Sequence, residues 1–465
     1  MDLLKSGPVR ALARPATRRV LQSLTLVIAI AIVAHGLAGP PDAPRNLATV
    51  VTWVFYRGAL VVALLAVGNL FCAVCPMMLV RDLARRLAPA GRTWPRTLRN
   101  KWLAVAVLGA GLFAYEQFDL WSLPYVTALI TIGYFAAALI VDVVFKGASF
   151  CRYVCPIGQF NFVAATVAPL SLQVRSIDTC RSCKTADCIK GRKADAGAAA
   201  PAHETARGCE LGLFLPSKVG NLDCTLCLDC VRACPHDNIG LFSRLPGEEL
   251  AVTGRRSGIG RLAARPDIAA LVVLFTFGGL LNAFAMTGTA AHLQHQWVAA
   301  GVPGHTAALA LLFVVSLVIA APLVVWLATV ATRPPAGGAL QHAYALVPLG
   351  AGIWLAHYGF HMLAGALTIV PVTQSAVIDL FGQPFAGTPF WQLTGIRPGL
   401  LFPFQIGCVL LGALGSIGVT MAITVRHGRH PRAGLPWHLL VAALALGAVW
   451  AFAQPMDMRG MVMPG

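Results

Sequence analysis

Cys224-Thr225-Leu226-Cys227-Leu228-Asp229-Cys230-Val231-Arg232-Ala233-Cys234-Pro235 sets four cysteines on a C-x2-C-x2-C-x3-C-P spacing. Three thiolates on one tight loop reach three corners of an iron–sulfur cubane. The fourth, followed by proline, turns away and ligates a second cluster. A zinc site takes its ligands as two pairs and has no use for a third cysteine two residues further on. The spacing therefore predicts 4Fe-4S ligation.

Cys234 then needs companions elsewhere. Upstream stand Cys180, Cys183 and Cys188 on C-x2-C-x4-C, and Cys209 beyond them. The natural assignment crosses over. Cys180, Cys183 and Cys188 join Cys234 on one cluster, and Cys224, Cys227 and Cys230 join Cys209 on the other. The first half is irregular, because its third gap is long and residues 189–208 read as a Lys-, Ala- and Gly-rich insert. A zinc ribbon that uses Cys180, Cys183 and a later pair is the competing reading.

Further out, Asn69-Leu70-Phe71-Cys72-Ala73-Val74-Cys75-Pro76 ends one apolar segment, and Phe150-Cys151-Arg152-Tyr153-Val154-Cys155-Pro156 follows another. The first 160 residues thus read as two copies of a helical hairpin, each closed by Phe-Cys and Cys-Pro. Cys72, Cys75, Cys151 and Cys155 suit a third cluster or redox-active thiols. Proline after a cysteine also opens a helix well, so helix punctuation is a third reading. Cys408, in the middle of an apolar segment, reads as a small buried apolar residue.

The surroundings of these motifs are apolar. Of 465 residues 57% are hydrophobic and 12% charged, and mean hydropathy is +0.70. That excludes a disordered chain and a small disulfide scaffold, and it predicts an all-α polytopic membrane protein. Nine segments approach spanning length: 20–38, 49–71, 102–118, 124–145, 267–288, 306–331, 343–369, 400–425 and 436–453, with the third and ninth shortest. The net charge of +17 reads as topology rather than nucleic-acid binding. With nine spans, 32 of the 36 Lys and Arg fall on one side, the cytoplasm by the positive-inside rule. The N-terminus and the twelve motif cysteines are expected inside and the C-terminus outside. Thr17-Arg18-Arg19 loosely resembles a twin-arginine signal, but a retained signal anchor is simpler. The cytoplasm is reducing, so these cysteines point to metal or redox use rather than structural disulfides.

Two Cys–Cys-Pro hairpins followed by the 224–235 run resemble the membrane-bound polyferredoxin group of the bacterial inner membrane. That group includes the quinol-oxidising ferredoxin-type subunit of periplasmic nitrate reductase systems. It also includes the NosR-like protein of nitrous oxide respiration and the accessory ferredoxins of cytochrome oxidase. The resemblance covers residues 50–245 or so. It implies an inserted cytoplasmic ferredoxin-like module with two 4Fe-4S clusters, and electron transfer with quinol as donor. Cys151 and Cys155 have the group's C-x3-C-P spacing, whereas Cys72 and Cys75 are one residue closer.

The last 200 residues carry no motif of that group. His357 and His361 share a helix face, and His292, His295 and His305 lie near other span ends. Haem b ligation, proton acceptance from a quinol, and hydrogen-bonded helix packing are the three readings. Arg57, in the second span, and Asp142, near the inner end of the fourth, read as snorkelling residues, with a proton-relay role beside the cysteines as the weaker alternative for Asp142. Met456, Met458, Met461 and Met463 crowd the last ten residues, where thioethers suit Cu(I) and a plain tail is the alternative.

The expected organisation is a four-helix membrane region over 1–160, an iron–sulfur domain over 161–265 and a five-helix membrane region over 266–465. The expected function is electron relay between the quinone pool and a redox protein partner. Basic residues among the cysteines (Arg181, Lys184, Lys190, Arg192, Lys193, Arg232) suit an acidic partner. The alternative is a maturation factor that uses cluster electrons to reduce copper for an extracytoplasmic enzyme.

Overall fold

The computed structural model of the chain describes residues 2–88, 91–192, 206–382 and 387–456. These residues are mostly helical. Eight helices are long and apolar enough to cross a membrane: Pro15–Ala38, Leu47–Val67, Pro124–Val144, Pro266–Ala285, His305–Thr332, Ala339–Ala364, Pro398–Arg426 and Pro431–Ala453. The third expected span is present as a shorter helix, Trp102–Gln117. Its 16 residues rise about 24 Å, less than the roughly 30 Å of a hydrocarbon core. Asp119, with φ of 45°, bends the chain away in the left-handed region just beyond its end. The seventh span also ends sooner than expected, at Ala364, and Ile369–Phe381 is a separate short apolar helix.

Large apolar side chains face outward along these helices. Val20, Leu24, Val27 and Ile28 are exposed on Pro15–Ala38, and Val318, Ile319, Leu323 and Trp326 on His305–Thr332. Such bands are an aggregation hazard in water and a matched surface in lipid.

The chain divides into two compact units: Met1–Leu26, Ala63–Lys101 and Ala137–Arg265 form the first, and Val27–Val62, Trp102–Ala136 and Pro266–Gly465 the second. The first unit therefore draws on the N-terminal segment, both Cys-Pro hairpin ends and the whole polar stretch.

Within the first unit, β1 (Leu170–Val174) pairs antiparallel with β2 (Ile239–Ser243), with Leu172 opposite Leu241. Leu172, Ile239 and Leu241 are buried, and so are Leu213, Leu226 and Leu228 from the intervening loops. The N-terminal segment docks here too. Asp2 accepts from the Leu241 amide at 3.1 Å and from Arg175 Nε at 2.9 Å. A buried carboxylate, Glu249, braces the loop before Cys224. It accepts from the backbone amides of Asn221 at 2.6 Å and Leu222 at 3.1 Å, and pairs with Arg244 and Arg256. Two buried cations, two amides and one carboxylate satisfy one another, which offsets the cost of taking their charges out of water.

The second unit is helix on helix. Ala339–Ala364 packs along Pro398–Arg426 through small residues: a Cβ at Gly412 would lie 2.7 Å from the Pro348 carbonyl and 3.3 Å from the Gly352 Cα. Close backbone approach through glycine is how helices associate where lipid removes the hydrophobic drive. Arg57 turns into this unit. Its Nη2 donates to Tyr115 Oη at 3.0 Å, and its guanidinium lies over the rings of Trp53, Tyr115 and Tyr358, 4.4–5.3 Å from their centroids. The expected snorkelling of Arg57 is replaced by cation–π packing, which suits a cation away from water.

Candidate functional site

All twelve motif cysteines belong to the first unit, and all are free thiols. Cys180, Cys183, Cys188 and Cys234 line one cavity, with Phe214, Leu215 and Asn238. Cys209, Cys224, Cys227 and Cys230 line another, with Leu172, Leu213 and Leu228. The chain thus crosses between the two. Cys234 leaves its own run, and Cys209 enters the later one.

Local backbone explains the crossing. Asp223, Leu226 and Leu228 all adopt positive φ, between 46° and 63°. Left-handed residues between ordinary ones curl a loop so that successive amides point inward, the anion-binding arrangement called a nest. The short helix Asp229–Ala233 then carries Cys234 one turn onward, away from the cavity of Cys224, Cys227 and Cys230 and into that of Cys180, Cys183 and Cys188. Ala186, with φ of 54°, does the same before Cys188.

Amide hydrogens reach the sulfurs. The Leu213 amide donates to Cys209 Sγ at 3.4 Å, and Asn238 donates from its backbone to Cys234 Sγ at 3.4 Å and from Nδ2 to Cys180 Sγ at 3.3 Å. Burial pushes the thiols of Cys188 up to about 11 and Cys227 up to about 12. At the edge, the Ala186 and Thr185 amides hold Cys183 down to about 7. Buried thiols such as Cys188 and Cys227 stay protonated unless a metal displaces their protons.

Each cavity gathers four cysteines, the number of thiolates that a 4Fe-4S cluster would take. Four thiolates on one zinc at about 2.3 Å would stand roughly 3.8 Å apart. Among the described residues no three His, Cys, Asp or Glu close up in that way. A cubane spreads its four thiolates over four irons, one at each corner, and so calls for cysteines around a cavity rather than on a point.

The hairpin cysteines form a third group. Cys155 accepts from the Gly158 amide at 2.9 Å and so caps the helix Pro156–Ala164. Cys72 Sγ donates to Asn69 Oδ1 at 2.9 Å, and Asn161 Nδ2 stands 4.0 Å from the same sulfur. Arg81 Nη2 stands 4.0 Å from Cys151 Sγ. Burial, and then the charges of Cys75, Cys151 and Cys155, push Cys72 well above the ordinary thiol range. Asp142 is not a snorkelling residue. It accepts from the Phe150 amide at 3.1 Å and approaches Arg81 Nε at 3.9 Å, anchoring the turn that carries Cys151.

Several of these residues have no signal in the spacing of the cysteines. Asn69, Arg81, Lys101, Asn161 and Glu249 are all buried polar groups of this unit. Lys101 Nζ donates to Asp223 Oδ1 at 2.8 Å and to the Arg152 carbonyl at 2.9 Å, and Arg18 pairs with Asp229 at 2.7 Å. In the sequence the cations read only as topology. One regularity does mark two of them: Arg81 follows Cys75 by six positions, as Asn161 follows Cys155.

The histidines of the second unit fall into separate pairs. His357 and His361 are buried on Ala339–Ala364 with ring centroids 5.1 Å apart. His295 meets His305 edge to face at 4.5 Å, and His292 contacts Gln296 at 3.0 Å on its own helix. Met456 packs against the cluster of Phe360, Ala364 and Leu401. Met458, Met461, Met463 and Lys193 lie outside the described residues.

No family profile and no solved structure matches the chain. An uncharacterized protein of Methanocaldococcus jannaschii is 25% identical over 204 residues, which cover 41% of this chain and 69% of that protein.

Proposed function

We propose that the chain is a membrane-bound iron–sulfur electron carrier. Cys180, Cys183, Cys188 and Cys234 would hold one 4Fe-4S cluster, and Cys209, Cys224, Cys227 and Cys230 a second. The observation that carries this reading is the sorting of eight cysteines into two cavities with four each, against their order in the chain. Bound clusters supply one-electron storage without proton or bond changes in the protein.

The chain's own groups supply the rest. Leucine side chains exclude water from the Cys209 site, and the Leu213 and Asn238 amides stabilise sulfur charge, which raises the potential of whatever the thiolates hold. Cys183, beside the exposed Arg181, is the edge suited to an acidic redox protein. Quinol as electron donor follows from the polyferredoxin resemblance. The cytoplasmic side for the cysteines in a bacterial inner membrane follows from the basic-residue asymmetry.

The test is direct. Protein purified under argon is expected to carry iron and acid-labile sulfide in equal amounts, at least eight of each per chain, and to be reduced by a quinol analogue in proteoliposomes. Zinc with negligible iron would overturn the reading of the site. Iron that no quinol reduces would overturn the quinol role alone.

A further inference from the structure

Asn161 and Arg81 each stand six residues past a Cys-Pro junction, and each reaches the first cysteine of the other hairpin: Asn161 to Cys72 and Arg81 to Cys151, both at 4.0 Å. The two hairpins therefore close on each other with approximate two-fold symmetry. We infer that Cys72, Cys75, Cys151 and Cys155 ligate a third 4Fe-4S cluster, adjacent to the Cys209–Cys224–Cys227–Cys230 site. This rests on the iron–sulfur reading above and extends it from two centres to three.

The donor pattern favours a cluster over the other uses of four thiols. Every sulfur has an N–H of its own: Asn161 for Cys72, the Met77 amide for Cys75, Arg81 for Cys151 and the Gly158 amide for Cys155. Such donors do little for neutral thiols and stabilise thiolates bound to a metal. A dithiol switch calls for one accessible low-pKa nucleophile beside a resolving cysteine. Here Cys155 is buried, and Cys72, Cys75 and Cys151 are no more than half-exposed. Helix punctuation by Cys-Pro would account for each hairpin alone. It would not account for each trailing helix reaching across to the other hairpin.

Adjacency to the second site is equally specific. The Asn69 amide touches Cys72 Sγ through Oδ1 at 2.9 Å and the Cys224 carbonyl through Nδ2 at 3.1 Å. One side-chain amide thus separates the hairpin site from the Cys224 loop. Lys101 repeats the link on the other hairpin, between the Arg152 carbonyl and Asp223. The hairpin site thus neighbours the Cys224 loop, and Cys234 carries that same run on to the Cys180 site. Passage along it oxidises one centre by one electron as its neighbour is reduced by one.

The test counts centres in the anaerobically purified full chain. Wild type is expected to hold roughly twelve irons and twelve sulfides, and its dithionite-reduced EPR signal to integrate to about three spins. The Cys72→Ser/Cys155→Ser variant is expected at roughly eight irons and two spins. Wild type at about eight irons and two spins, unchanged in the variant, would overturn the third site and leave the two-site reading standing. Wild type without iron would overturn both. If the variant fails to accumulate, the wild-type spin count alone decides between three and two.

Discussion

Glu249 carries more of the first unit than its place as the second of two adjacent glutamates suggests. It is almost fully buried, accepts two backbone amides just before Cys224, and neutralises Arg244 and Arg256. Removing one partner of a buried ion network leaves the others uncompensated, at about 3–5 kcal/mol. Glu249→Ala is therefore expected to lower the melting temperature of the purified protein sharply and to cost iron at the Cys209–Cys224–Cys227–Cys230 site. Glu249→Gln, which keeps an acceptor for the amides, should lose less. An alanine variant with unchanged melting and iron content would remove Glu249 from this role. At this scale the sequence speaks through spacing. C-x2-C-x2-C is legible because three cysteines on one short loop must fall together, and Cys224, Cys227 and Cys230 do line one cavity. Glu249, Asn69 and Lys101 act through partners 28, 155 and 122 positions away, and no local pattern records such contacts.

Among the elements, the apolar helices were the easiest to read, because lipid imposes a length that a single sequence displays. Eight helices meet it, and the misreadings lie where a breaker interrupts an apolar run. Asp119 curtails Trp102–Gln117, and the 343–369 segment gives way after Ala364 to a second helix. The packing between helices is less visible, since Gly352 and Gly412 look like any other glycines until the helices cross. Gly412→Leu would drive a side chain into the Pro348 carbonyl and Gly352. Overpacking of that kind costs about 1–3 kcal/mol or more. The expected result is a lower unfolding midpoint in detergent, with the iron content of the first unit retained. An unchanged midpoint would mean that the two helices part easily at this point.

For the whole molecule, the short helix Trp102–Gln117 decides topology. If it crosses the membrane, the chain has nine crossings, and the basic segments 1–19, 81–101 and 146–265 share a side. That arrangement is expected. Reporter fusions after residues 100 and 119 should report opposite compartments, the first cytoplasmic. The same compartment at both positions would remove this crossing and with it the single-sided distribution of the cysteines. The excess of basic residues also has a second use that composition conceals. Arg18, Arg81, Lys101, Arg244 and Arg256 are buried partners of carboxylates inside the first unit. A residue type enriched for topology has been recruited to hold loops together, which is why charge counting saw only half of its role.

The crossed order of the cysteines has a consequence for biosynthesis. No group of four is complete until late. The first site to emerge opens with Cys72, yet its last member is Cys155, and the site that begins at Cys180 waits for Cys234. At roughly 5–20 residues per second, the 162 positions between Cys72 and Cys234 take on the order of 10–30 s to make. Each group stays incomplete until its last cysteine emerges, Cys155 for the hairpin group and Cys234 for the group that begins at Cys180. On the proposed iron–sulfur reading, loading would follow the threading of the first apolar helices, and the cell would deliver metal to a chain already committed to the bilayer.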